Sequence, residues 1–521
     1  MTEHVRQHPE VINPYRLAEK SSGDRAFVKD LELNALLEAI PFYSSDTREL
    51  AKKVMVDMGS DMNTVQYRQE VLYDLVSDKN LLDTLQKCVS RLNELGYKLG
   101  GFNDEPNLTN GLRLLGSYKD FILNPPDLNK AKSRALKEVE SYLREIRASD
   151  EFSGLCGFVG RIGNLGRVVF KVSLDKDGLP VKMSAMELVE KDPEDKSGIL
   201  AFFERLFKKG KFEESLRSGV GLNEAGRVFQ GFIDRQFVPI IKAYLDQIRE
   251  VTGLLEPLGF YAGLAEYFIK LKEQGFNICR PTLLPPEKRR MTVRNARNPL
   301  LVKDGHDGHR VVPNDIGYLP DQNVFVITGP NNGGKTTYVT TVGLVQLMSQ
   351  KGLFVTAESA EVSFVDGIYT HFVTPDDITK GEGRYRNELM RVKEIFEAAT
   401  PYSLVILDEP CGGTSYEEGC RQSLVVLDGL HRLGPATYFT THMHLVAQEI
   451  DSGRYPAAKN LSVECLYEGK KIKYTYKVGE GAAGKSYGDE IAREIGLMPE
   501  NISQMVSKRA DKQGYRDIIR E

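Results

Sequence analysis

At 521 residues the chain is too long for a single hydrophobic core, so several domains are expected. A formal net charge of -4 and a pI near 6.2 exclude a globally basic surface, and any nucleic-acid contact must come from a local patch. Six scattered cysteines with no Cys-x-x-Cys pair argue against zinc and a disulfide framework. No apolar run reaches bilayer length, and the start does not read as a signal peptide, so a cytoplasmic protein without a membrane partner is expected.

Residues 1–150 read as helix, with apolar residues at helical spacing in Leu31, Leu33, Leu36, Leu37 and Ile40 and again in Val71, Leu72, Leu75 and Val76. Asn124-Pro125-Pro126-Asp127 interrupts the pattern, and a charged helix is predicted from Leu128 to Arg147. Between Gly154 and Val189 the period becomes two. Val168, Phe170 and Val172 alternate, Asp175-Lys176-Asp177-Gly178 supplies a turn, and Leu179, Val181 and Met183 alternate again, which predicts a β-hairpin or small sheet. Helices resume near Gly198 and run to Lys272, including a long segment from Val228 to Leu255. Pro281 to Arg290 reads as the linker, and beyond it strand and helix patterns alternate, which predicts an α/β domain with a largely parallel sheet.

That last region carries the most specific chemistry. The β-branched run Val324 to Thr328 ends at Gly329, and Gly329 to Thr336 fits G-x-x-x-x-G-K-[ST] ahead of a helix-compatible stretch from Tyr338. The candidate nucleotide-binding residues are Gly329, Pro330, Asn331, Asn332, Gly333, Gly334, Lys335, Thr336 and Thr337. The glycines let backbone N–H groups close on phosphate oxygens, Lys335 can reach the β- and γ-phosphates, and the Thr336 hydroxyl can ligate Mg²⁺. Farther on, Ser403 to Leu407 is an apolar strand ending in Asp408-Glu409-Pro410, at the edge where open α/β sheets bind ligands. Asp408 is placed to hold Mg²⁺ and Glu409 to polarise the attacking water. A third strand, Ala436 to Phe439, ends in Thr440-Thr441-His442, and His442 is a candidate for the γ-phosphate or the water. A nucleoside triphosphatase is predicted, with Glu409, His442 and Lys335 as its catalytic residues.

The segments Thr328 to Tyr338, Tyr402 to Glu409, Gly413-Thr414-Ser415, Thr441-His442 and Gly481-Ala-Ala-Gly-Lys-Ser-Tyr-Gly488 together resemble the MutS family of DNA mismatch-repair ATPases, a branch of the ATP-binding-cassette superfamily. The resemblance covers residues 291 to about 512. More weakly, Asn63 to Tyr73, Phe260 to Tyr267 and Ala296 to Leu300 resemble the helical core and lever that precede the ATPase in that family. It implies a multidomain fold: a mostly α-helical core and lever with a small β-rich insertion, followed by an α/β P-loop ATPase domain of ATP-binding-cassette type. The corresponding divisions are 1–150 (first part of the core and lever), 151–225 (clamp-like insertion), 226–284 (lever return and core) and 285–521 (ATPase with a C-terminal helical dimerisation segment). ATP and Mg²⁺ are the implied cofactors and a homodimer the implied assembly. The adenine pocket would use Val311, Val312, Pro313 and Asn314; the family often stacks an aromatic ring there, and with only Val311 on offer an aliphatic packing is expected.

Several features depart from the family. Core-like sequence begins near residue 30, which leaves no room for the domain that wedges a Phe-x-Glu motif into DNA. Phe202-x-Glu204 and Phe212-x-Glu214 match the letters but sit in helical sequence, and no nuclease tail is expected. Gly383-Arg384 stands where relatives carry the Ser-Thr pair that reaches the partner's nucleotide, and Gly412 where they commonly carry Arg. Gly383, Arg384, Glu388, Gly413, Thr414 and Ser415 are therefore the candidates for action across a dimer interface, and Asp376-Asp377 match an acidic pair of the family. For nucleic acid the candidates are Arg161, Arg167, Lys171 and Lys176 in the hairpin region and Lys208, Lys209 and Lys211 beyond it, all suited to phosphate contacts without sequence information. DNA is the expected partner, bound by structure or backbone rather than by reading mismatches. An ATP-driven remodeller of RNA, ribosomes or a protein assembly is the alternative.

Overall fold

A computed structural model describes residues 26–58, 61–163, 165–174, 180–190, 231, 234–302, 308–373, 383–468, 471–482, 492–493 and 495–514. It is mostly helical with three sheets, and the described residues divide into two compact units. The first takes in 42–50 and 74–265, the second 26–41, 51–73 and 266 onward. Chain order carries the helices α1 (Ala26–Asp30), α2 (Leu33–Ala39), α3 (Ser45–Val56), α4 (Met62–Ser77), α5 (Lys79–Asp104), α6 (Leu108–Leu123), α7 (Arg134–Ala148) and α8 (Asp150–Gly163) to the hairpin β1 (Leu165–Leu174) and β2 (Pro180–Glu190), then α9 (Leu245–Thr252) and α10 (Leu255–Glu273).

Within the first unit, α5 shows why helix wins. Asp78 caps it, accepting from the N–H groups of Asn80 and Leu81, and Leu81, Leu85, Val89, Leu92, Leu95 and Leu99 bury one stripe. The charged helix predicted from Leu128 starts at Arg134 instead. The Asp74 carboxylate accepts the backbone N–H groups of Lys132 (2.7 Å) and Ser133 (2.5 Å), which draws the chain ahead of α7 out of helical geometry. Likewise, the stretch from Gly154, expected to be extended, lies inside α8. Its glycines are outweighed by Asp150 and Glu151 in the first turn and by buried Phe152, Leu155 and Ile162. The predicted hairpin is present as the antiparallel pair β1–β2, with Val168 opposite Leu188, while its turn at Asp175–Gly178 lies outside the described residues. The long helix expected from Val228 to Leu255 is broken by turns at 243–244 and 253–254.

Residues 26–41 and 51–73 pack with the C-terminal half although they precede the helical half in sequence. Leu31 fills the space beside Gly343, where an added Cβ would meet Leu31 Cδ2 at 2.5 Å, and the Thr370 hydroxyl donates to Asp30 at 2.7 Å. From the linker on, the chain forms β3 (Thr282–Leu284), β4 (Met291–Ala296), β5 (Asn314–Tyr318), β6 (Val324–Thr328), α11 (Lys335–Gln350), β7 (Ser359–Ser363) and β8 (Ile368–Phe372). It continues with α12 (Arg384–Ala398), β9 (Leu404–Asp408), α13 (Tyr416–Leu433), β10 (Ala436–Thr440), α14 (His444–Asp451), β11 (Ala458–Glu468), β12 (Lys471–Glu480) and α15 (Pro499–Gln513).

These strands make two sheets, one ordered β12-β11-β6-β10-β9-β8 and the other β3-β7-β4-β5. In the larger sheet β6, β8, β9, β10 and β11 run parallel, and only β12 is antiparallel. Helices cover it on both faces. Val405 and Leu407 join the core beneath α12, α13 and α14, whereas Ile406 points to α11, 3.1 Å from a Cβ added at Gly343. Burial on both faces is what makes β6 and β9 uninterrupted apolar runs. The parallel register sets Thr440 beside Asp408 on one side and Ile327 on the other, so three strands end together.

Candidate nucleotide site

At those carboxyl ends the chain turns from β6 through residues 329–334 into α11. Gly329 has φ 146 and an added Cβ would lie 3.1 Å from Val463 Cβ. Gly334, the residue before α11, has φ 95. Both conformations need glycine, and they aim the loop's backbone at the cavity above the sheet. That cavity measures about 890 Å³, within the usual range for a small-molecule site. It is lined by Pro330, Asn331, Asn332, Gly333 and Gly334 of the loop, by Lys335, Thr336 and Thr337 at the start of α11, by Val311 and Val312 ahead of β5 and Asn314 at its start, and by Asp408 at the end of β9 and Glu409 after it. Segments far apart in sequence thus converge on one place.

Lys335 is buried, and its Nζ donates to the carbonyls of Gly329 (3.0 Å) and Pro330 (3.2 Å) while lying 3.5 Å from Glu409 Oε1. The Thr336 hydroxyl donates to Asp408 Oδ2 at 2.7 Å, and the Thr440 hydroxyl donates to Asp408 Oδ1 at 2.5 Å. Burial raises the Asp408 carboxyl above the usual aspartate range and the adjacent Glu409 adds to this, against the two hydroxyl hydrogen bonds and Lys335. Glu409 shifts the opposite way: His442, with Nδ1 3.7 Å from Oε2, and Lys335 hold it low despite burial. Neighbouring carboxyls pushed apart in this way are characteristic of sites with divided roles. Glu409 also has φ 52, a left-handed conformation, with its backbone N–H held by the carbonyl (3.2 Å) and hydroxyl (3.0 Å) of Thr440.

An all-oxygen pair, Thr336 Oγ1 and Asp408 Oδ2, suits a hard divalent cation. Among the described residues no group of three His, Cys, Asp or Glu is placed to hold a metal ion by itself, so such a cation would draw further ligands from phosphate and water, the habit of Mg²⁺.

Of the interface candidates, Gly383 is the exposed residue before α12, and Arg384 opens that helix. Glu388 is buried, and its carboxylate accepts the Gly413 N–H at 3.0 Å within the same chain. Thr414 donates to Glu418 at 2.5 Å and Ser415 caps α13. Arg161 is exposed near the end of α8. Arg167 and Lys171 lie on β1, where only the backbone is described, and Lys176, Lys208, Lys209, Lys211, Asp376-Asp377 and both Phe-x-Glu matches lie outside the described residues, as do Gly383's neighbours 374–382 and residues 483–490. No helix among the described residues is long and apolar enough to cross a membrane.

Two residues on the site escaped the sequence reading of roles. Thr440 was visible only as part of a strand end, because its bond to Asp408 depends on register. Tyr476, on β12, lines the cavity with its ring 3.2 Å from a Cβ added at Gly334, an aromatic neighbour in a cavity also lined by Val311 and Val312. Nothing in the spacing connects β12 with the loop.

The family model of MutS domain V matches residues 325–513. Over 236 residues the chain is 36% identical to the DNA mismatch repair protein MutS of Caldicellulosiruptor saccharolyticus, a match covering 44% of this chain and 27% of that protein. The DNA mismatch repair proteins MutS of Bacillus cereus and Bacillus thuringiensis are each 31% identical over 286 residues, 55% of this chain and 31% of theirs. The match therefore spans less than a third of the length of these curated relatives. The glycine loop, paired acids and histidine all fall inside the matched segment, so residues 325–513 are a domain V of the MutS family.

Proposed function

We propose that this chain is a Mg²⁺-dependent ATPase with a head of the ATP-binding-cassette arrangement, that it works as a homodimer on DNA, and that its shape changes with ATP binding and hydrolysis. The observation that carries the reading is the convergence of Lys335, Thr336, Asp408, Glu409 and His442 at the ends of three adjacent parallel strands.

In this reading the loop's backbone N–H groups and the N-terminus of α11 cradle the phosphates. Lys335 donates to the β- and γ-phosphate oxygens. Thr336 and Asp408 hold Mg²⁺, whose charge would offset that developing on the transferring group. Glu409, kept ionised by His442 and Lys335, orients the attacking water and accepts its proton at a carboxylate oxygen. Val311 and Tyr476 flank the adenine. Exposed Ile502, Met505 and Val506, spaced i, i+3, i+4 on α15, fit the C-terminal helical segment to subunit pairing. Binding to DNA would use backbone charge, through Arg161 and the basic residues of the hairpin region and beyond.

The test is Mg²⁺-dependent phosphate release, measured alongside binding of duplex, branched and mismatched DNA and structured RNA across a salt series. Turnover that needs Mg²⁺, with DNA binding that falls steeply as salt rises, is expected. Binding of structured RNA without binding of any DNA would overturn the DNA reading while leaving the ATPase intact.

A further inference from the structure

The two sheets of the second unit approach each other at β5 and β12, and the Asn314 side chain bonds across the junction. Asn314, the first residue of β5, donates from Nδ2 to the Tyr476 carbonyl (3.0 Å) and accepts the Val478 N–H at Oδ1 (2.9 Å). Lys477 reaches back to donate to the Pro313 carbonyl. Both ends of the Asn314 amide are thus engaged by β12 backbone. At the first of these anchors Tyr476 has φ 56, a conformation that a bulky L residue adopts only where its surroundings impose it. The result is visible in the ring. It stacks on Tyr474, with centroids 6.2 Å apart and planes 29° from parallel, and it stands beside Gly334 on the cavity wall. Tyr476 is nonetheless 48% exposed, so its own packing does little to fix it.

We propose that Asn314 is a positioning residue for the nucleotide base: its amide holds β12 in the left-handed turn that keeps the Tyr476 ring on the cavity wall, and it acts on the base through that ring rather than by reading it. This rests on the reading of the cavity as an adenine-nucleotide site. Ring–base stacking is the only interaction at stake, so phosphate binding should be blind to Asn314.

Affinities for Mg·ATP and for Mg·tripolyphosphate, which has no base, separate the possibilities in the full chain. Tyr476→Ala should weaken ATP about tenfold, the scale of one aromatic–base stack, and leave tripolyphosphate unchanged. Asn314→Ala should reproduce most of that loss, and the double variant should bind ATP no more weakly than Tyr476→Ala alone. Asn314→Asp, nearly isosteric, keeps the acceptor for Val478 but sets a carboxylate oxygen against the Tyr476 carbonyl, and should show the same loss. A second readout is optical: the chain has no tryptophan, so Tyr476→Trp creates a single reporter whose emission should change with ATP and should differ, before ATP is added, when Asn314→Ala is also present. Wild-type ATP affinity in both Asn314 variants, or losses that multiply in the double variant, would overturn the proposal. Unchanged ATP affinity in Tyr476→Ala would overturn it too, by removing the ring from the base. Loss of tripolyphosphate binding in Lys335→Ala tests the phosphate-site reading separately.

Discussion

Replacing Glu409 by Gln is the most direct probe of the proposed chemistry, because it removes one charge and one proton acceptor while keeping the shape. Two magnitudes follow from the geometry. Glu409 Oε1 lies 3.5 Å from Lys335 Nζ, and the Glu409 side chain is one-third exposed, so the pair is partly screened. Pairs of this kind contribute at most about 1 kcal/mol net, so ATP affinity should change by no more than about fivefold. The change should be toward tighter binding, since Lys335 is released from an internal anion and a carboxylate no longer faces the phosphates. Turnover is another matter. Gln cannot accept the proton of the attacking water, and loss of a positioned general base costs about 10²- to 10⁴-fold. The Asp408 bonds to Thr336 and Thr440 do not involve Glu409, so the cation site should survive. Equilibrium binding of a fluorescent ATP analogue and steady-state phosphate release measure the two quantities in one preparation. Turnover within a few-fold of wild type would refute the assignment of Glu409, and a large loss of ATP affinity would refute the separation of its role from binding.

Three further outcomes are expected. Burial, with Arg68 nearby, brings the Lys351 ammonium down to about 7, against the pull of Asp57. An unfolded lysine keeps its proton to about pH 10.4, so unfolding takes up a proton between these values and stability should rise with pH across that window, with no further contribution from this group below pH 7. Wild-type stability relative to Lys351→Met, followed by denaturant unfolding from pH 6.5 to 9.5, should climb, and a flat difference would contradict it. Gly352 has φ 77, and an added Cβ would sit 2.6 Å from the Val65 carbonyl oxygen, so Gly352→Ala should cost about 3 kcal/mol in the same assay, whereas a loss under about 0.5 kcal/mol would show that the turn relaxes freely. If Arg384 reaches the partner's nucleotide, mixing Arg384→Ala with Lys335→Ala subunits should restore activity above either parent, since each mixed dimer keeps one intact site; no recovery after demonstrated subunit exchange would place its action within its own subunit.

What the sequence made legible follows from where each element gets its stability. The strands β6 and β9 are buried on both faces, so their apolar runs are visible without knowing their neighbours, and the glycine loop carries its own backbone requirement in Gly329 and Gly334. The start of α7 was not legible, because Asp74, distant in sequence, decides where the helix can begin. Nor was the packing of residues 26–41 against the C-terminal half, since an amphipathic helix shows which face it buries but not against what.

The same distinction divides the site itself. Seven non-glycine residues among those described have positive φ, and three of them, Asn332, Glu409 and Tyr476, line the cavity. Sequence preference argues against a left-handed Glu or Tyr, so neither conformation could be anticipated locally. Each is imposed across strands: Thr440 on β10 holds the Glu409 N–H through both its carbonyl and its hydroxyl, and Asn314 on β5 holds the backbone around Tyr476. Thr440 therefore has two tasks, since the same hydroxyl that accepts from Glu409 donates to Asp408. Removing that hydroxyl leaves every charged group of the site in place while loosening the geometry of both acids at once. In the proposed mechanism the identity of the reacting groups is written in the motifs, and their placement is written in residues that are assigned no step of the reaction.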